Sequence, residues 1–161
     1  MLQKLKKRKN DGFTIIEVMI VLAIAGLIML IVFLAVPALQ RNAHNTSIKN
    51  DVANVLGAMN EYANNNNGTI ATAASISGNT ITVGSGCSDV TGNCATAQVG
   101  YITAISNPTA TITLTKPALG SLQIFTNALC DGNKPVSTGA TARNYVAYYQ
   151  LEGGAVQCSA S

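Results

Sequence analysis

Between Val18 and Val36 the chain carries 19 consecutive residues without a polar side chain. As a helix rising about 1.5 Å per residue the run is about 28 Å long, close to the roughly 30 Å hydrocarbon core of a bilayer. It reads as a spanning segment. A single carboxylate, Glu17, stands at its start, where Lys6 to Phe33 reads KKRKNDGFTIIEVMIVLAIAGLIMLIVF. A charge placed in hydrocarbon costs roughly 2.5–3.5 kcal/mol on insertion scales, so the position calls for a compensating partner.

The rest of the composition sharpens this reading. Of 161 residues 48% are hydrophobic and 11% charged, an apolar excess that the N-terminal run largely explains. The formal charge is +3, yet five of the ten basic residues (Lys4, Lys6, Lys7, Arg8, Lys9) precede Gly12. Beyond Gly12 five basic residues face six acidic ones, so the basicity belongs to the leader. A lysine-rich cluster binds nucleic acid in some proteins, which is possible but not indicated here. Beside an apolar span it sets orientation, with the basic flank in the cytoplasm and everything after Pro37 outside.

All four cysteines, Cys87, Cys94, Cys130 and Cys158, fall on the outer side, where disulfides persist. Three pairings are possible and the sequence does not choose among them. The pairing adopted is Cys87 with Cys94, closing a short loop, and Cys130 with Cys158, tying the C-terminal tail to the body. Their spacing is not that of a zinc site, and no metal is expected.

Pro37 lacks a backbone donor and predicts a kink near Phe33. Beyond it an apolar stripe at helical spacing runs through Ile48, Val52, Val55, Leu56, Met59, Tyr62 and Ala63. Lys49, Asn50, Asp51, Asn54, Asn60 and Glu61 are expected on the other faces. Asn64 to Asn67 followed by Gly68 reads as the stop.

Downstream, β-type runs are expected at Thr80 to Val83, Gly100 to Ser106, Ala110 to Thr115, Leu122 to Thr126 and Tyr145 to Leu151, with a turn at Glu152-Gly153-Gly154. Thr69 to Val99 is expected to be largely irregular. The stripe would pack on one face of an antiparallel sheet, an α+β arrangement. Tyr145, Tyr148 and Tyr149 are expected half in the core and half at an edge. His44, with no second ligand at metal spacing, reads as a solvated helix residue. With one histidine, no nucleophile and base in a recognisable arrangement and no phosphate loop, enzymatic activity is not expected and no cofactor is implied.

A secretory signal is cut after its apolar stretch. Here the plausible processing junction, Gly12-Phe13, precedes it, so the span would stay on the mature chain. The residues GFTIIEVMIVLAIAGLI, Gly12 to Ile28, closely resemble the type IV pilin family, and the likeness extends from Lys4 to Phe33. The resemblance implies that a prepilin peptidase cuts between Gly12 and Phe13 and methylates the new amine of Phe13. It also makes Glu17 the assembly carboxylate, pairing with the neighbouring subunit's terminal amine in a helical homo-oligomeric filament. Gly26 falls where many members have a helix-loosening glycine. Pro37 lies a few residues later than the helix-breaking proline of many members, so any melting on assembly is expected between Gly26 and Pro37.

The organisation so implied is a cleaved leader over 1–12, a membrane and filament-core helix over 13–39, an amphipathic helix over 40–68 and a disulfide-bearing β-rich head over 69–161. The subunit would be held in the cytoplasmic membrane before the inner-membrane assembly machinery extracts it, and in an extracellular pilus afterwards. That pilus would serve adhesion, twitching motility or DNA uptake. The alternatives are a pseudopilin of a type II secretion or competence system, or a surface-binding protein with an uncleaved anchor.

Overall fold

A computed structural model describes residues 12–84, 87 and 94–161. The basic cluster Lys4 to Lys9 lies outside these residues. The chain divides into two units, Met1–Gln40 and Arg41–Ser161, the second called the head below.

One helix, α1, runs Ile15–Asn65 and includes Pro37, so the missing donor does not end it. It stops where the sequence offers residues tolerant of positive φ. Asn67 sits at φ 54°, and the Gly68 N–H donates to the Ala63 carbonyl at 2.7 Å, a Schellman-type closure of the last turn.

In the head, the stripe is the buried face of α1. Ile48, Val52, Val55, Leu56, Met59 and Tyr62 all lie in the main core, and Ala63 is half-buried. Asp51 departs from the expected solvent-facing placement, for it is buried as well.

Nine strands follow among the described residues: β1 Ala74–Ser77, β2 Thr80–Val83, β3 Ala95–Gln98, β4 Ala104–Ile105, β5 Ser121–Thr126, β6 Leu129–Asp131, β7 Lys134–Val136, β8 Tyr145–Gln150 and β9 Val156–Ala160. They form a three-stranded antiparallel sheet β1-β2-β3, a four-stranded sheet β4-β5-β8-β9 and the hairpin β6-β7. β4 runs parallel to its neighbour β5, whereas β8 is antiparallel to both β5 and β9.

Several expected elements are corrected. Thr69 to Val99 is not a loop throughout, because it contains all of the first sheet. Its strand β3 reads ATAQ, and small side chains gave no hydrophobic alternation to detect; Ala95 and Ala97 face the core, where a larger residue would hold the strand away from its neighbours. The run Gly100 to Ser106 contributes only Ala104–Ile105. Ala110 to Thr115 forms no strand. Its chain pairs once, at Thr109 with Phe125, and then leaves the sheet so that Ile112 can pack on its reverse face.

β8 lies between two strands and is buried on both faces. Tyr145, Ala147 and Tyr149 belong to the main core, whereas Val146 and Tyr148 pack with Phe125 and Ala128 on the other side. The tyrosines are therefore core residues rather than half core and half edge. The Tyr145 hydroxyl donates to the Leu56 carbonyl at 3.2 Å, joining β8 to α1, and burial pushes its pKa up to about 12. Disulfides join Cys87 to Cys94 and Cys130 to Cys158. The second ties β6 to β9 across 28 residues, a closure worth about 3–4 kcal/mol in the chain-entropy picture.

Candidate functional site

The N-terminal segment is built from the cap outward. Gly12, Phe13 and Thr14 precede α1, with Phe13 89% exposed. Thr14 is the N-cap. The Thr14 N–H and hydroxyl both donate to Glu17 Oε2, at 2.8 and 2.7 Å, and the Glu17 N–H points back to Thr14 Oγ1 at 3.4 Å. This is a capping box, in which a Thr and a Glu three positions later satisfy donors that a helix start leaves open. The carboxylate also meets the favourable positive end of the helix dipole. The Thr-x-x-Glu pattern before an apolar run was the signal that could have found it.

Glu17 is thus engaged within its own chain, but through one oxygen. Oε1 has no partner among the described residues. Phe13, Glu17, Val18, Val21 and Leu22 line a shallow, almost wholly apolar depression.

From Ile15 through Leu39 the helix exposes large apolar side chains on every face, among them Ile16, Leu22, Leu27, Leu30 and Phe33. Its most apolar 18-residue window has a mean hydropathy of 3.2 and none of it is buried within the chain. By length and composition it is long and apolar enough to cross a membrane. A helix apolar all round needs lipid or other helices around it. At Gly26 an added methyl would meet nothing within 4 Å, so no contact inside the chain demands glycine there.

Two polar centres in the head were not legible in advance. The Asp51 carboxylate receives backbone N–H groups from three consecutive residues: Gly100 at 3.0 Å to both oxygens, and Tyr101 and Ile102 at 2.6 and 3.1 Å to Oδ2. This clamps the chain after β3 onto α1, and three donors to one carboxylate justify its burial. His44, expected to be merely solvated, has its Nδ1 2.6 Å from Glu152 Oε1. In sequence they lie 108 residues apart, beyond any local signal.

Set beside known families, residues 7–33 match the prokaryotic N-terminal methylation motif. No curated protein and no solved structure matches the chain. The motif spans the Gly12-Phe13 step, Glu17 and most of the apolar run, whose large side chains are exposed. Carried on one long apolar helix and followed by largely antiparallel sheets, the motif supports a type IV pilin-like protein.

Proposed function

We propose that the chain is a prepilin, cut between Gly12 and Phe13 and N-methylated at Phe13, whose mature form polymerises into a type IV pilus. The observation that carries this reading is the pairing of a methylation motif with an apolar helix bearing one half-satisfied carboxylate at its start. Cutting before Phe13 creates an α-ammonium group. A neighbouring subunit's Glu17 offers Oε1 to it while Thr14 holds Oε2 in place. In low dielectric an ion pair attracts over several ångströms, and a subunit docked out of register leaves both charges unpaired, which is strongly unfavourable. The pair therefore selects the axial register. Bundling the helices of successive subunits then covers the apolar surface that lipid covered before assembly. The cytoplasmic membrane is the store, the prepilin peptidase and the inner-membrane machinery are the partners, and the extracellular filament is the product.

Mass spectrometry of the mature protein from its native cell tests processing: the N-terminal peptide is expected to begin with a methylated Phe13. An intact Met1 overturns the reading and leaves a plain anchored protein. Glu17→Ala is expected to enter the membrane normally while filament yield falls more than about tenfold, since an unpaired buried ammonium costs more than the 1.4 kcal/mol that tenfold represents. Normal filaments from this variant in cells without the wild-type subunit would remove the registry role.

A further inference from the structure

Three segments of the head converge on the turn after β8. That turn is tightly set: the Leu151 N–H donates to the Ala155 carbonyl at 2.7 Å, the Gly154 N–H donates to the Leu151 carbonyl at 3.1 Å, and Gly153 and Gly154 take φ values of 93° and 86° that side chains resist. It presents Glu152 at a fixed place. From α1, Asn45 Oδ1 accepts the Glu152 N–H at 2.8 Å, and the adjacent His44 brings Nδ1 to 2.6 Å from Glu152 Oε1. From the segment after β3, the Tyr101 hydroxyl donates to the same Oε1 at 3.0 Å, and its ring lies 5.4 Å from the His44 ring, tilted by 40°. Tyr101 is itself anchored, because its N–H is one of those holding Asp51.

We propose that His44, Asn45, Tyr101 and Glu152 form an acid-released latch that fastens the Arg41–Asn45 turn of α1 to the β8–β9 turn. The latch is local to the head and independent of the filament reading above. At neutral pH the carboxylate accepts two donors on one oxygen, and its charge faces His44 and Arg41 from α1 and Tyr101 from the segment after β3. Lys116, from the β4–β5 connection, reaches the same turn, its Nζ 3.2 Å from where a Cβ on Gly154 would sit.

Protonating Glu152 removes the only negative charge in this set. Arg41 and His44, three residues apart on α1, then lose the carboxylate with which both interact. The His44 hydrogen bond, with help from the Tyr101 hydroxyl and the positive charges of His44 and Arg41, holds the Glu152 carboxyl below the ordinary 4.5. A carboxyl depressed in the folded state contributes stability that is complete above its ordinary value and is lost as pH falls through the lowered one. The latch therefore stays closed through mild acid and opens in stronger acid. The apolar side chains packed below it, Ile48, Val52, Val55, Leu56 and Met59, carry no titratable group and keep their packing.

Backbone-amide hydrogen exchange by NMR on the full chain in micelles, from about pH 7 to about pH 3, tests this directly. The protection factor of the Glu152 amide is expected to fall about tenfold, the equivalent of one charge-assisted hydrogen bond, with a midpoint below that of an ordinary glutamate while β8 amides stay protected. Glu152→Gln is expected to give low protection that does not change with pH. His44→Gln is expected to move the midpoint upward, which a purely structural role for His44 would not do. Constant Glu152 protection down to pH 3, loss in step with the β8 amides, or wild-type protection in Glu152→Gln would each overturn the latch.

Discussion

The two stretches of α1, Ile15 to Leu39 and Ile48 to Tyr62, share one backbone pattern and differ in what surrounds their side chains. In the first, apolar residues occupy every face and large ones are left exposed; Leu27 keeps 60% of its surface. In the second, six large apolar residues in a stripe are at most 9% exposed, and the polar residues around them keep the helix to one orientation against the sheets. A helix that is apolar all round has no privileged face and depends on a solvent or partner supplied from outside. An amphipathic one carries its own instruction for folding. One element can thus serve assembly at one end and folding at the other, because the polar residues begin at Gln40.

The comparison is most exposed to failure in the core. Met59→Ala removes a fully buried side chain and is expected to lower head stability by about 2–5 kcal/mol in denaturant unfolding, whereas the exposed Leu27→Ala should stay within about 0.5 kcal/mol. Equal losses from both would erase the distinction between the stretches.

A smaller effect is expected at Asp51, the exception to the apolar stripe. Asp51→Ala strands three backbone donors and should cost about 1–3 kcal/mol, seen as a lower midpoint and faster exchange at Gly100, Tyr101 and Ile102. Unchanged exchange there would mean that the clamp does not fasten the chain to α1.

The smallest is at the cap. Thr14→Val removes the hydroxyl from Glu17 and is expected to cost about 1 kcal/mol of local helix stability, read as faster amide exchange across the first turn in micelles with head melting unaltered. A shift in head melting would show that the two stretches are energetically coupled, which their separate surroundings argue against.

Much of this was legible in the chain itself wherever the signal is local. The apolar run, the stripe from Ile48 to Tyr62 and the helix stop near Gly68 all depend on neighbours within a few residues. β5 and β8 were legible because bulky and β-branched residues cluster there. β3 was hidden because its inward positions are alanines, and β6 and β7 because three-residue strands around Gly132 carry too little pattern. Ala110 to Thr115 misled in the opposite direction: its composition is that of a strand, but the available place beside β5 is filled by β4 and Thr109, and Ile112 gains more by covering the second core.

By itself the sequence determined that a long apolar helix begins beside one carboxylate and leads into an amphipathic continuation, since helical periodicity and hydropathy are properties of consecutive residues. Only the tertiary structure decided which cysteines pair, that Asp51 is buried beneath three backbone donors, and that His44 meets Glu152. Each of those unites residues far apart in the chain, and the free energy that selects them arises only when the sheets close over α1 and water is removed from between them.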